Sequence, residues 1–280
     1  MPTPRARPIL KPLDASYQTR AVPPGTVRYW SWLFAASEAR APLLGVFALG
    51  AEWQALMDPA TESTVARLKL AWWAEEMQRL NAGRAVHPIS AYLASLPRAA
   101  SVGFAPLLAA VEAAAVQVSG VPLESGADLE PQSRALWGEP LTLASQLAGE
   151  VPDAAALRRC TGALAAAEYL SRAARDYRSE ARAGRTAFAV DELMTAGVDN
   201  ADLLATSAPP HLEAYLRHLR ERAAGYFESA AQALPRAQRA PQRHLLVLAA
   251  LGRARLQERA PGGGRRFKDM LLAWTTARRA

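Results

Sequence analysis

The period of the apolar residues constrains this chain more than any other feature. Along most of its length they recur every three or four positions, and strand-like alternation is almost absent, which commits the chain to helices. The clearest case is DPATESTVARLKLAWWAEEMQRLNAG, residues 58–83. Asp58 is placed to cap a helix whose first position is Pro59, and Gly83 is placed to close it. Val65, Leu68, Trp72 and Leu80 fall at helical spacing and predict its buried stripe. The same periodicity predicts helices at about 28–37, 42–57, 106–119, 133–149, 153–182, 188–197, 209–233, 240–258 and 267–278. A turn at 87–90 opens a short helix to Leu96, residues 120–133 form a loop or broken segment, and GGGRR (262–266) is a flexible break.

No internal repeat or shift in composition divides the chain. The expectation is one all-α domain, a helical bundle over 26–280, preceded by an irregular, basic, proline-rich arm over 1–25. Half of the residues are apolar, enough for a sizeable core. The net charge of +7 comes almost wholly from arginine, since Lys11, Lys69 and Lys268 are the only lysines. These arginines are spread along the chain rather than clustered, which argues against a nucleic-acid interface. A basic balance favours anionic partners such as diphosphates or anionic lipid headgroups. Cys160 stands alone, so an intrachain disulfide and a cysteine metal cage are excluded, in keeping with a cytoplasmic location. The N-terminal stretch lacks the apolar core of a secretory signal. The longest apolar run, Leu43–Ala51, is far short of the roughly 18 residues of a membrane span. A soluble or peripheral protein is expected.

The stretch that could carry chemistry is RDYRSEARAGR, 175–185. Asp176 and Glu180 are four apart and share a helix face. Two such oxygen ligands suit Mg²⁺, which completes its shell with water and substrate phosphates, and Arg175 and Arg185 could hold diphosphate oxygens. Glu168, Arg172, Asp176 and Glu180 also recur at i+4, with Arg172 placed to pair with Asp176. On spacing alone the pattern is better described as a solvated, ion-paired helix face.

Residues 164–203 resemble the second aspartate-rich region of the squalene/phytoene synthase family. That region has the form R-D-x-x-x-D-x-R-x-G-R, followed by Y-L-P-x-x-E/D-L and a G-V turn. Arg175, Asp176, Arg182, Gly184, Arg185, Asp191, Leu193, Gly197 and Val198 fall on it, with Glu180 in place of the second aspartate. Residues 38–88 resemble the family's N-terminal half through Arg40, Phe47, Ala48, Lys69, Leu70, Trp72, Trp73, Glu75, Glu76, His87 and Pro88. The resemblance spans roughly 25–280. It implies an isoprenoid-synthase-type bundle around a central apolar cavity, with two aspartate-rich helices holding Mg²⁺ on prenyl diphosphates. On that pattern Arg40, Arg175 and Arg185 are the diphosphate-binding candidates, and Asp176, Glu180, Asp58 and Glu52 the metal candidates.

The chain departs from the pattern where that chemistry resides. The first D-x-x-x-D motif falls on Gln54 and Asp58, so one carboxylate is gone. Tyr169 and Arg172 replace a glutamine and an asparagine, Ser179 replaces an acid, and Ala187 and Ala189 replace the tyrosine and proline of Y-L-P. Glu52 and the aromatic basic C-terminus are similar to a branch without evident synthase activity, that of the complex I assembly factor. The expectation is a non-catalytic, prenyl-diphosphate-binding or assembly-type protein with an isoprenoid-like lipid or a protein as partner. The alternative is an active Mg-dependent prenyltransferase of the squalene/phytoene type.

Outside these motifs the sequence offers less. His87, His211, His218 and His244 are scattered with no carboxylate cluster beside them, which favours structural roles. Residues 251–280 carry eight arginines or lysines against Glu258 and Asp269. Mixed with Phe267, Met270, Leu271, Leu272 and Trp274, the segment 262–280 is a candidate for peripheral contact with an anionic membrane. A helix packed on the bundle fits the same residues.

Overall fold

A computed structural model describes residues 12–256 and 265–280. In chain order the helices are α1 (Ala15–Ala21), α2 (Val27–Leu33), α3 (Ser37–Met57), α4 (Ser63–Asn81), α5 (Pro88–Ala94), α6 (Ala99–Val102), α7 (Ala105–Ser119) and α8 (Leu129–Ser133). There follow α9 (Glu139–Ala148), α10 (Ala154–Arg182), α11 (Val190–Ala196), α12 (Asn200–Leu204), α13 (Pro210–Ala233), α14 (Arg236–Arg239), α15 (Arg243–Leu256) and α16 (Arg265–Arg279). One turn of π-helix, Arg134–Gly138, joins α8 to α9 without a break. No strand forms among the described residues, apart from a single parallel bridge between Leu123 and Ala189. The all-α class expected from periodicity holds.

Two packing layers position the rest. The long helices α10 and α13 lie along one another, and α15 closes against both. Small residues make the close approach possible: Ala166, Ala173 and Ala174 of α10 and Ala223 of α13 share one buried cluster. On the other side α3 packs on α9 and α4 packs on α7, around a core that includes Leu43, Leu49, Trp53, Met57, Leu70 and Met77.

Several local expectations need correction. The buried stripe of α4 is Ala66, Leu70, Trp73, Met77 and Leu80, whereas Val65, Leu68 and Trp72 face outward at 42%, 68% and 40% exposure. The sequence offers two apolar stripes that share Leu80, and the longer unbroken one is buried. Asp58 and Pro59 do not start this helix. Glu62 caps α4 by accepting from the amides of Thr64 and Val65, both at 2.8 Å. Asp58 instead ends α3 and accepts from the Ala60 amide at 2.8 Å. Gly83 does lie just past the helix, in the left-handed region at φ +70°.

The predicted helix 28–37 is divided by a turn over 34–36, and α3 begins before Pro42 rather than at it. Within the expected arm 1–25, Ala15–Ala21 is helical because Asp14 caps it through the Ser16 amide. Residues 1–11 of that arm, and 262–264 of the GGGRR break, lie outside the described residues.

Candidate functional site

The last three turns of α10 present Arg172, Asp176 and Glu180 along one face, as i+4 spacing dictates. The ion pairing differs from the expected i+4 ladder. Asp176 is held by its neighbour Arg175 through two hydrogen bonds, Nε to Oδ1 and Nη2 to Oδ2, both 2.9 Å. Arg172 turns elsewhere, with its guanidinium 5.7 Å from the ring centroid of Trp137 on the π-helical turn. It also borders the space that Asp176 and Glu180 face. This recess is lined by Gln117, Trp137, Tyr169, Arg172, Asp176 and Glu180, among others, and has a volume of about 20 Å³, room for about one water. The space bordering these carboxylates is therefore small, with aromatic and aliphatic groups beside the polar ones.

Glu180 makes the second pair. After α10 ends, Gly184 takes φ +69°, which brings the chain back so that the Arg185 amide bonds the Glu180 carbonyl at 2.9 Å. The Arg185 side chain then donates Nε to Glu180 Oε2 at 2.9 Å and Nη2 to the Met57 carbonyl at 2.9 Å. Both side chains are only 7% exposed. Arg185 thus satisfies a carbonyl at the C-terminal end of α3 and ties it to the end of α10. Burial raises the pKa of Glu180, Arg185 and Arg172 lower it, Asp176 raises it, and the net direction is upward. Burial, with Glu180 nearby, likewise pushes the Tyr169 hydroxyl up to about 12, so it is a neutral donor at physiological pH.

The other predicted residues lie elsewhere. Glu52 is held by Arg20 of α1 at 2.9 Å, on a side of α3 that reaches His87 rather than the recess. The Asp58 carboxylate stays in its own turn. Arg40 donates to the Leu33 carbonyl at 3.0 Å, and along α3 it is about 27 Å from Asp58 at 1.5 Å per residue. The structure therefore joins Asp176, Glu180, Arg175 and Arg185, leaves Glu52 and Arg40 apart from them, and sets Asp58 beside the Met57 carbonyl that Arg185 holds, with its own carboxylate turned to the Ala60 amide. Gln117, Trp137 and Arg20 had no signal in the sequence, because each acts across a long separation in the chain. Arg28 was missed as well: burial lowers its pKa, Glu168 raises it and Arg172 lowers it.

Mg²⁺ prefers an octahedron of oxygen ligands from converging carboxylates, water and phosphate. Among the described residues no group of three or more His, Cys, Asp or Glu side chains converges to hold a metal. The two carboxylates at the recess already have guanidinium partners, and Arg172 adds fixed positive charge beside them. As they stand, Asp176 and Glu180 are paired with guanidinium groups and are joined by no third metal-ligating side chain among the described residues.

The aromatic and acidic motif of α4 has a structural explanation. The Glu76 carboxylate, fully buried, accepts from the amides of Val86 at 3.0 Å and His87 at 2.8 Å and from Arg79 Nε at 2.8 Å. Burial alone would raise its pKa, but these hydrogen bonds outweigh it and hold the carboxyl below its usual range. His87 in turn caps α5 through the Ile89 amide and packs 4.6 Å from Trp73. The pattern of two tryptophans, two glutamates and a His-Pro turn is thus one folding unit.

The sequence model of the family described as Squalene/phytoene synthase matches residues 24–276. No curated protein matches the chain. Among solved structures, a dehydrosqualene synthase in complex with ligand is 14% identical, with a TM-score of 0.74, and the match covers 95% of this chain and 99% of that one. The squalene synthase HpnC from Alicyclobacillus acidocaldarius is 21% identical with a TM-score of 0.65, covering 81% of this chain and 85% of its own.

Proposed function

We propose, for a chain that belongs to the squalene/phytoene synthase family, that the fold is kept while its metal-dependent condensation is not. In this reading the protein is a non-catalytic binding or assembly-type member. Its ligand is a prenyl diphosphate or similar isoprenoid lipid, or its partner a protein. The observation that carries it is the commitment of both recess carboxylates to protein cations: Asp176 to Arg175, and Glu180 to Arg185 in a buried pair. Condensation of two prenyl diphosphates needs divalent cations to stabilise charge on the leaving diphosphate. Internal guanidinium groups offer no open coordination positions for that purpose.

The alternative, an active Mg-dependent prenyltransferase, has one point in its favour: Asp176 and Glu180 do border the same recess. It requires Arg175 and Arg185 to release them, and a new source for the carboxylates that Glu52 and Asp58 do not deliver there. Incubation with farnesyl or geranylgeranyl diphosphate and Mg²⁺, followed by extraction and product analysis, separates the two. We expect no hydrocarbon product above a heat-denatured control. A squalene- or phytoene-type product that disappears in Asp176→Ala overturns the proposal.

A further inference from the structure

The helix α16 carries an apolar face that stays partly open to solvent. Its inner side packs through Ala273, Leu272 and Ala277 against Trp30 of α2 and Val247 and Leu251 of α15. At about 100° per residue, Phe267, Met270, Leu271 and Trp274 share one sector of roughly 100° on the opposite side. They are 65%, 37%, 46% and 43% exposed.

The charges around this stripe have one sign. By the same helical spacing Lys268 and Arg279 flank it on one edge. Both are exposed, and Arg278 lies over the Trp274 ring at 4.9 Å. The acid of this helix, Asp269, is buried and turned inward, bonded to Arg255 Nη2 at 2.8 Å. The outward face is therefore apolar at its centre and cationic at its rim.

That distribution selects the occupant. A second copy docked face to face would set these cations against their own copies, since a two-fold interface repeats each patch on itself. An anionic lipid surface matches both features: aliphatic and aromatic groups sink to the boundary of headgroup and acyl chain, while Lys and Arg reach back to the phosphates. The helix is about 22 Å long, and no helix among the described residues is long and apolar enough to cross a membrane. Contact in the membrane plane is the mode that remains.

We propose that the outward face of α16 docks the protein on an anionic lipid membrane. This inference does not depend on what occupies the recess beside Asp176. Sedimentation of the full chain with vesicles of phosphatidylcholine alone, or of phosphatidylcholine mixed with phosphatidylglycerol, tests it. A cation near an anionic surface gains roughly fivefold in affinity, so Lys268, Arg278 and Arg279 together predict about a hundredfold preference for the anionic vesicles. Added salt should erode that preference.

Lys268→Glu with Arg279→Glu should lower anionic binding at least tenfold without changing the melting temperature, both residues being exposed. Phe267→Ser with Leu271→Ser should weaken it by a similar factor. Failure to bind, equal binding to both vesicles, or indifference to both pairs of substitutions overturns the proposal. So does a dimer in sedimentation equilibrium that the Phe267 and Leu271 substitutions dissociate while vesicle binding persists.

Discussion

Replacing Arg185 by methionine removes the guanidinium that links two ends of the fold and leaves a carboxylate behind. In the intact protein Arg185 and Glu180 are each 7% exposed and joined at 2.9 Å, and Arg185 also holds the Met57 carbonyl. Breaking a buried pair from one side costs about 3–5 kcal/mol, because the remaining charge keeps its desolvation penalty without its partner. For a domain of this size that lowers Tm by roughly 6–15 °C. The penalty has a defined pH dependence. Glu180 already has a pKa raised above its ordinary 4.5 by burial, and loss of Arg185 raises it further. A raised folded-state pKa contributes stability that is fully present below 4.5 and is lost as pH rises through the folded value. The Arg185→Met defect should therefore be larger at pH 7 than at pH 5, and Glu180→Leu in the same chain should recover most of it. Thermal and urea melts followed by circular dichroism at both pH values give the comparison. A loss under about 1 kcal/mol for Arg185→Met, or no recovery in the double variant, would refute the view that this pair is a built-in structural link.

Two further outcomes follow from buried groups. His244 is wholly buried and its pKa is pushed down to about 3, first by burial and then by Arg243. The unfolded chain takes up a proton there below its ordinary 6.5 while the folded chain does not. Stability should therefore fall with decreasing pH across that window by up to about 1.4 kcal/mol per unit, and acid titration of His244→Leu should show a shallower slope. Glu76→Ala strips two amides and Arg79 of their acceptor, at a cost of about 2–4 kcal/mol. Hydrogen exchange at Val86 and His87 should accelerate in that variant, and unchanged exchange would show that the carboxylate does not fix the turn.

Much of the fold was legible because helix periodicity and punctuation are local properties. The spans of α10 and α13, the turn at His87 and the left-handed glycine after α4 all follow from neighbours within a few residues. The errors arose where two local solutions competed. The apolar residues of α4 allow two stripes, and only packing against α7, α3 and α5 decides that Leu70 and Met77 turn inward while Leu68 does not. Asp58 could cap a helix or end one, and the stronger double cap from Glu62 settled it.

The site divides in the same way. Asp176, Glu180 and Arg185 were visible as a motif, and the turn at Gly184 that joins them is local. The bond from Arg185 to Met57, the grip of Arg20 on Glu52 and the placement of Trp137 under Arg172 join positions distant in the chain, where spacing carries no information. Arg172 was expected on Asp176, but it lies over an aromatic ring, and its neighbour Arg175 takes the carboxylate.

The central claim is that Asp176 and Glu180 serve protein cations rather than a metal. Thermal denaturation with geranylgeranyl diphosphate, in the presence of Mg²⁺ or of a chelator, addresses it most directly, since a ligand bound to the native state must raise Tm. The account predicts the same Tm with Mg²⁺ as with the chelator, whether or not the lipid itself stabilises the fold. A rise in Tm that requires Mg²⁺ and vanishes in Asp176→Ala would contradict it.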